Sequence, residues 1–141
     1  MIDPYKNKMF KKNPYFKKKP VKGEIIVVLD GYLDNRQLKL ITPISRCVKK
    51  NEVHELIITE ENVKPGDTVD KIAYLGFFEC ENSGVIVSGD KVLINNKYFG
   101  EIAGFDETHM PNHLNIVIKN KTRISGAESC IDIQNTILIT K

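Results

Sequence analysis

Three histidines, His54, His109 and His113, are the side chains best suited to chemistry in this 141-residue chain. A neutral imidazole is nucleophilic, exchanges a proton near neutral pH and binds metals. Two of the three close the run Phe105-Asp-Glu-Thr-His-Met-Pro-Asn-His113, the most ligand-rich stretch of the sequence. Asp106, Glu107, His109 and His113 carry the nitrogen and oxygen donors that a divalent metal takes. Pro111 prevents a helix here, so the two imidazoles do not share a helical face and no spacing fixes a coordination geometry. The competing reading is a polar loop whose side chains satisfy their own backbone. On that reading no metal is assigned, and Asp106, Glu107, His109 and Asn112 are candidate contacts to a small ligand. His113 opens a strand and is expected at the mouth of the fold.

His54 stands in the alternating segment Val53–Thr59. A period of two puts His54, Leu56 and Ile58 on one face of a strand. There the ring is either a satisfied core or rim residue or an accessible imidazole that acts as a nucleophile or proton carrier. The three cysteines, Cys47, Cys80 and Cys130, are odd in number and widely spaced. They form neither a disulfide framework nor a CxxC knuckle, which points to reduced thiols and a cytoplasmic protein. No Gly-rich phosphate loop, nucleophile elbow, zincin or kinase signature is present, and no cofactor is expected.

The elements that must position these residues are strands. Glu24–Leu29, Gln37–Thr42, Glu52–Thr59, Thr68–Phe78, Gly84–Val87, Lys91–Ile94, Lys97–Ala103, Leu114–Lys119, Thr122–Ile124, Ser129–Ile133 and Thr136–Thr140 all read as short strands. Turn residues separate them. Asn95-Asn96 marks a two-residue hairpin, because Asn tolerates the left-handed region, and Pro65-Gly66 marks another turn. No window carries helical periodicity with caps. The sequence predicts an all-β fold, a small closed or partly open antiparallel barrel over residues 23–141.

Residues 1–22 differ in character. They hold eight lysines against one acid, Asp3, a local charge of +7. The remaining residues hold 13 basic and 17 acidic side chains, a charge of −4. The segment reads as an extended basic arm with Tyr5, Phe10, Tyr15 and Phe16 set among the lysines. Such an arm suits nucleic acid or an anionic surface, docking on the barrel, or assembly of a homo-oligomer. The acidic body makes nucleic acid the least favoured of these. No apolar run approaches the roughly 20 residues of a membrane span, and no secretory h-region is seen.

Several short motifs, in order, resemble the glucitol/sorbitol-specific IIA component of the bacterial sugar phosphotransferase system. They are Val53-His54 followed by Pro65-Gly66-Asp67; Gly89-Asp90 with Val92–Ile94, Tyr98 and Ile102-Ala103-Gly104; Asn112-His113-Leu114; and Ser125-Gly126. The resemblance spans roughly residues 48–135. It implies a β-barrel phosphocarrier in which His54 accepts the phosphoryl group, His113 hydrogen-bonds it, and a phosphotransferase-type protein is the partner. Leu56 stands where that family carries a second histidine, residues 68–88 have the look of an insertion, and the lysine arm has no counterpart. A shared fold without shared chemistry is therefore an equal implication. The principal expectation is an uncharacterised bacterial barrel that binds a small ligand or a protein without catalysis. The phosphocarrier is the alternative, and nucleic-acid binding through the arm comes third.

Overall fold

The computed structural model describes residues 13–141, so Lys6, Lys8, Lys11 and Lys12 of the basic arm lie outside the described residues. Twelve strands and no helix are found in that range: β1 Val21–Val28, β2 Tyr32–Leu33, β3 Leu38–Lys39, β4 Ser45–Val48, β5 Val53–Thr59, β6 Thr68–Val69, β7 Ile72–Cys80, β8 Gly84–Val87, β9 Lys91–Ile94, β10 Lys97–Asp106, β11 Asn115–Lys119 and β12 Thr136–Thr140. Seven of them follow the order β1-β12-β9-β10-β11-β5-β7, and β7 pairs back to β1. The expected barrel is therefore closed, which leaves no free edge among these strands. Every contact in the ring is antiparallel except β11 against β5, which is parallel.

Alternation divides the strand residues between two cores. Ile25, Leu56, Ile58, Phe78, Phe105, Ile116 and Ile118 fill the barrel. Ile57, Ile72, Ala103 and Val117 point the other way and pack against Leu38, Leu40 and Val69. These last three come from β3, β6 and their flanks, which cover that part of the wall. A wall covered on both sides explains why Leu56-Ile57-Ile58 and Ile116-Val117-Ile118 are continuous apolar runs. Parallel strand pairs are normally buried in this way.

Several sequence expectations shift in detail. β1 begins at Val21, two residues before Gly23. Thr68–Phe78 is two strands, because the N–H groups of Asp70 and Lys71 turn aside to donate to the Glu61 carboxylate. The stretch 37–42 pairs only at Leu38–Lys39, following Gln37 at a φ of 52°. Thr122–Ile124 and Ser129–Ile133 are not strands. Their region is tied down by single bonds instead, with Gly126 N–H donating to the Tyr74 carbonyl and Ala127 N–H to that of Leu29. Asn95 and Asn96 do occupy the left-handed region, with φ of 53° and 64°.

Candidate functional site

The register aligns one row of side chains across five neighbouring strands. Asp106 on β10 faces Asn115 on β11, Asn115 faces Glu55 on β5, Glu55 faces Phe77 on β7, and Phe77 faces Val27 on β1. Directly paired residues share a face of a sheet. The chain neighbours Phe105, Ile116, Leu56 and Phe78 fill the barrel, so this row lies on its outer surface. Yet Asp106, Asn115 and Glu55 are buried, at 2%, 1% and 7% exposure. The loop from Asp106 to His113 and its neighbours cover them.

Each polar side chain in the row has at least one identifiable tie. The Asp106 carboxylate accepts from Thr108 N–H at 3.1 Å, Thr108 Oγ1 at 2.8 Å and Asn115 Nδ2 at 3.0 Å. His113 sits at 3.1 Å from Glu55 Oε1 through Nε2. Its Nδ1 accepts from Asn112 Nδ2 at 2.8 Å, which leaves the proton on Nε2 to donate to Glu55. Burial pushes the Glu55 carboxyl above its ordinary range, opposed by the charge of His113 and its hydrogen bond. His113 and Phe77 pack in a T-shaped arrangement, and His109 lies tilted beside His113, each pair with ring centroids 5.1 Å apart. The Asn115 Oδ1 atom is buried and has no hydrogen-bond partner.

The covering loop is held from the side by Arg46 on β4. Its guanidinium pairs with Glu107 at 3.2 Å and also donates to Met110 Sδ. Glu107 and His109 are themselves exposed. Of the residues singled out in the sequence, Asp106, His113 and Asn112 therefore belong to one cluster, His109 stands at its rim, and Glu107 anchors the lid.

His54 lies on the other side of the wall. It alternates with Glu55 on β5, so its ring enters the barrel, edge-on to Phe78. Its exposure is 4%. Nδ1 accepts the backbone N–H of Leu114 at 3.0 Å, and Nε2 lies 3.2 Å from Glu52 Oε1. The fixed backbone donor places the ring proton on Nε2. Burial lowers the His54 pKa, with Glu52 opposing the shift. His113 hydrogen-bonds Glu55, on the opposite side of the wall from the His54 ring.

Sequence reasoning missed Glu55, Asn115 and Arg46. A carboxylate amid the apolar run of β5, on the face opposite His54, was the available sign. It also missed an open cleft of about 600 Å³ lined by Glu60, Tyr98, Phe99, Gly100, Lys119 and Lys121, at the far end of β11 from Asn115. No three His, Cys, Asp or Glu side chains among the described residues are arranged to hold a metal. No helix among them is long and apolar enough to cross a membrane.

A family of unknown function, DUF6917, matches residues 15–140. The chain belongs to the DUF6917 family. The match to DUF6917 takes in the barrel, the loop 106–113 and the segment from Tyr15 that precedes β1. No curated protein and no solved structure matches the chain.

Proposed function

We propose that the protein is a non-enzymatic binding module that takes a small ligand bearing an N–H or ammonium donor over the row Asp106–Asn115–Glu55. The unpartnered Asn115 Oδ1 carries this reading. Buried acceptors are almost always satisfied, and one left without a donor costs about 1–3 kcal/mol. Its neighbours on both sides in the row are carboxylates. The group that completes the site is therefore a donor. A cation arriving beside Glu55 favours the ionised carboxylate, so binding releases a proton from the fraction of Glu55 that is protonated. Entry requires the loop to lift from Arg46. Calorimetric titration with methylamine, ethanolamine and putrescine tests the reading. Binding of at least one amine is expected, weakened about tenfold or more in Asn115→Ala and Glu55→Gln. No heat with any of the three, or equal affinity in Asn115→Ala, sinks it.

The phosphocarrier reading needs an imidazole nitrogen open to a phosphoryl donor. Both His54 nitrogens are engaged and the ring is buried, which supports ligand binding over phosphoryl transfer. Incubation with phosphoenolpyruvate and the general phosphotransferase proteins separates the two readings. No acid-labile phosphate on His54 is expected, and its appearance would establish the carrier.

A further inference from the structure

Residues 13–20 precede β1 as a strap pinned to the barrel at several points. The Tyr15 hydroxyl meets Ser45 Oγ at 2.8 Å. The Lys18 ammonium reaches the buried Asp90 carboxylate at 2.5 Å. The carbonyl oxygens of Tyr15 and Phe16 accept from Lys141 Nζ at 2.7 and 3.1 Å. Asn82 Nδ2 donates to the Pro20 carbonyl. Between these pins the side chain of Phe16 is left 82% exposed, the most exposed large apolar side chain among the described residues. It is not a loose tail residue, since its own carbonyl and both flanks are fixed.

The surroundings of that ring are cationic. The Lys17 ammonium lies 5.8 Å from its centroid, and Lys19 is exposed. The sequence from Pro4 to Lys22 holds eight lysines and no acid, while the body from residue 23 on carries a charge of −4. One fixed aromatic ring among lysines matches the interfacial region of an anionic bilayer, where rings settle at headgroup depth and ammonium groups meet phosphates and carboxylates. The acidic body is repelled by such a surface, which turns the strap side towards it. Single-stranded nucleic acid fits residues 13–20 less well. Its sites line up several aromatic rings for successive bases, whereas Tyr15 is half-buried and committed to Ser45, leaving one free ring in the described strap.

We propose that the strap bearing Phe16, Lys17 and Lys19 docks the protein on anionic lipid bilayers, with Phe16 inserted at headgroup depth. Cosedimentation of the full chain with vesicles tests this. Mixed phosphatidylserine–phosphatidylcholine vesicles are expected to bind it, with affinity falling steeply as salt rises, and pure phosphatidylcholine vesicles to leave it in solution. Phe16→Ala is expected to weaken binding by about fivefold or more, and Lys17→Glu with Lys19→Glu to abolish it. Phe16 is exposed, so circular dichroism should show the variant folded. Failure to bind the mixed vesicles overturns the proposal. So does binding unchanged by Phe16→Ala, or binding of a thymidine oligonucleotide in place of the vesicles.

Discussion

The backbone N–H of Leu114, on the approach to β11, donates to Nδ1 of His54 on β5 across 3.0 Å. This bond ties the two strands of the parallel pair at the end where the covering loop joins the wall. It survives only while the imidazole is neutral, because a protonated ring has no acceptor nitrogen.

Acid should therefore weaken the fold through His54. Burial lowers its folded pKa below the ordinary 6.5. In the window between that lowered value and 6.5, the unfolded chain binds a proton that the folded chain does not. Stability then rises with pH through this window and is lost as pH falls through it, at up to about 1.4 kcal/mol per pH unit. Glu55, whose folded pKa is raised, contributes the opposite slope above its unfolded value of 4.5. Urea denaturation at intervals between pH 7 and pH 5 measures the sum. His54→Asn keeps an acceptor for Leu114 and cannot titrate, so subtracting its curve isolates the His54 slope. An unchanged slope in that variant would count against this account.

The hairpin at Asn95-Asn96 was legible because a two-residue turn has its own chemistry. The barrel was legible because strand length and turn spacing leave few alternatives. Two features were not. The pairing of β11 with β5 joins Ile116-Val117-Ile118 to Leu56-Ile57-Ile58. Such runs mark burial on both faces without saying which run lies beside which. His54 was legible as a residue facing with Leu56 and Ile58, but its partner is a backbone N–H, which leaves no trace in residue type. The candidate site was half visible. Asp106, Asn112 and His113 stood out as a polar loop, whereas Asn115 and Glu55 sit inside strands, where only the fold brings them into a row.

Lys18 should matter far more than its neighbour Lys17. Lys18 and Asp90 form an ion pair with side-chain exposures of 7% and 3%, and Asp90 also accepts the Val87 N–H. Removing one member of a buried pair strands the other charge. Lys18→Met is expected to cost about 3 kcal/mol, and Lys17→Met, on the exposed side of the strap, about 0.5 kcal/mol or less. Equal effects in chemical denaturation would contradict the pairing.

Gly76 sits where β7 meets β1 and β5. A Cβ there would overlap the carbonyl oxygen of Val27 on β1. The clash is with backbone, so relief requires the strands that close the barrel to part. Gly76→Ala is expected to destabilise by about 3 kcal/mol. Gly89, at a φ of 93° with open space around it, provides the contrast. Its alanine variant carries only conformational strain, about 1 kcal/mol. Thermal melting of the two variants should rank them in that order.

The three cysteines should separate by reactivity. Cys47 and Cys130 are exposed, and Cys80 is buried at the end of β7. Burial, reinforced by the charges of Glu52 and Glu79, pushes the Cys80 thiol up to about 12. The thiolate is the reacting form, so Cys80 is protected both by lack of access and by lack of ionisation. Iodoacetamide at pH 8 should modify Cys47 and Cys130 in the folded protein, with Cys80 reacting only once denaturant opens the barrel. Peptide mass spectrometry reads the sites directly. Early labelling of Cys80 would mean that the β1–β7 closure opens under native conditions.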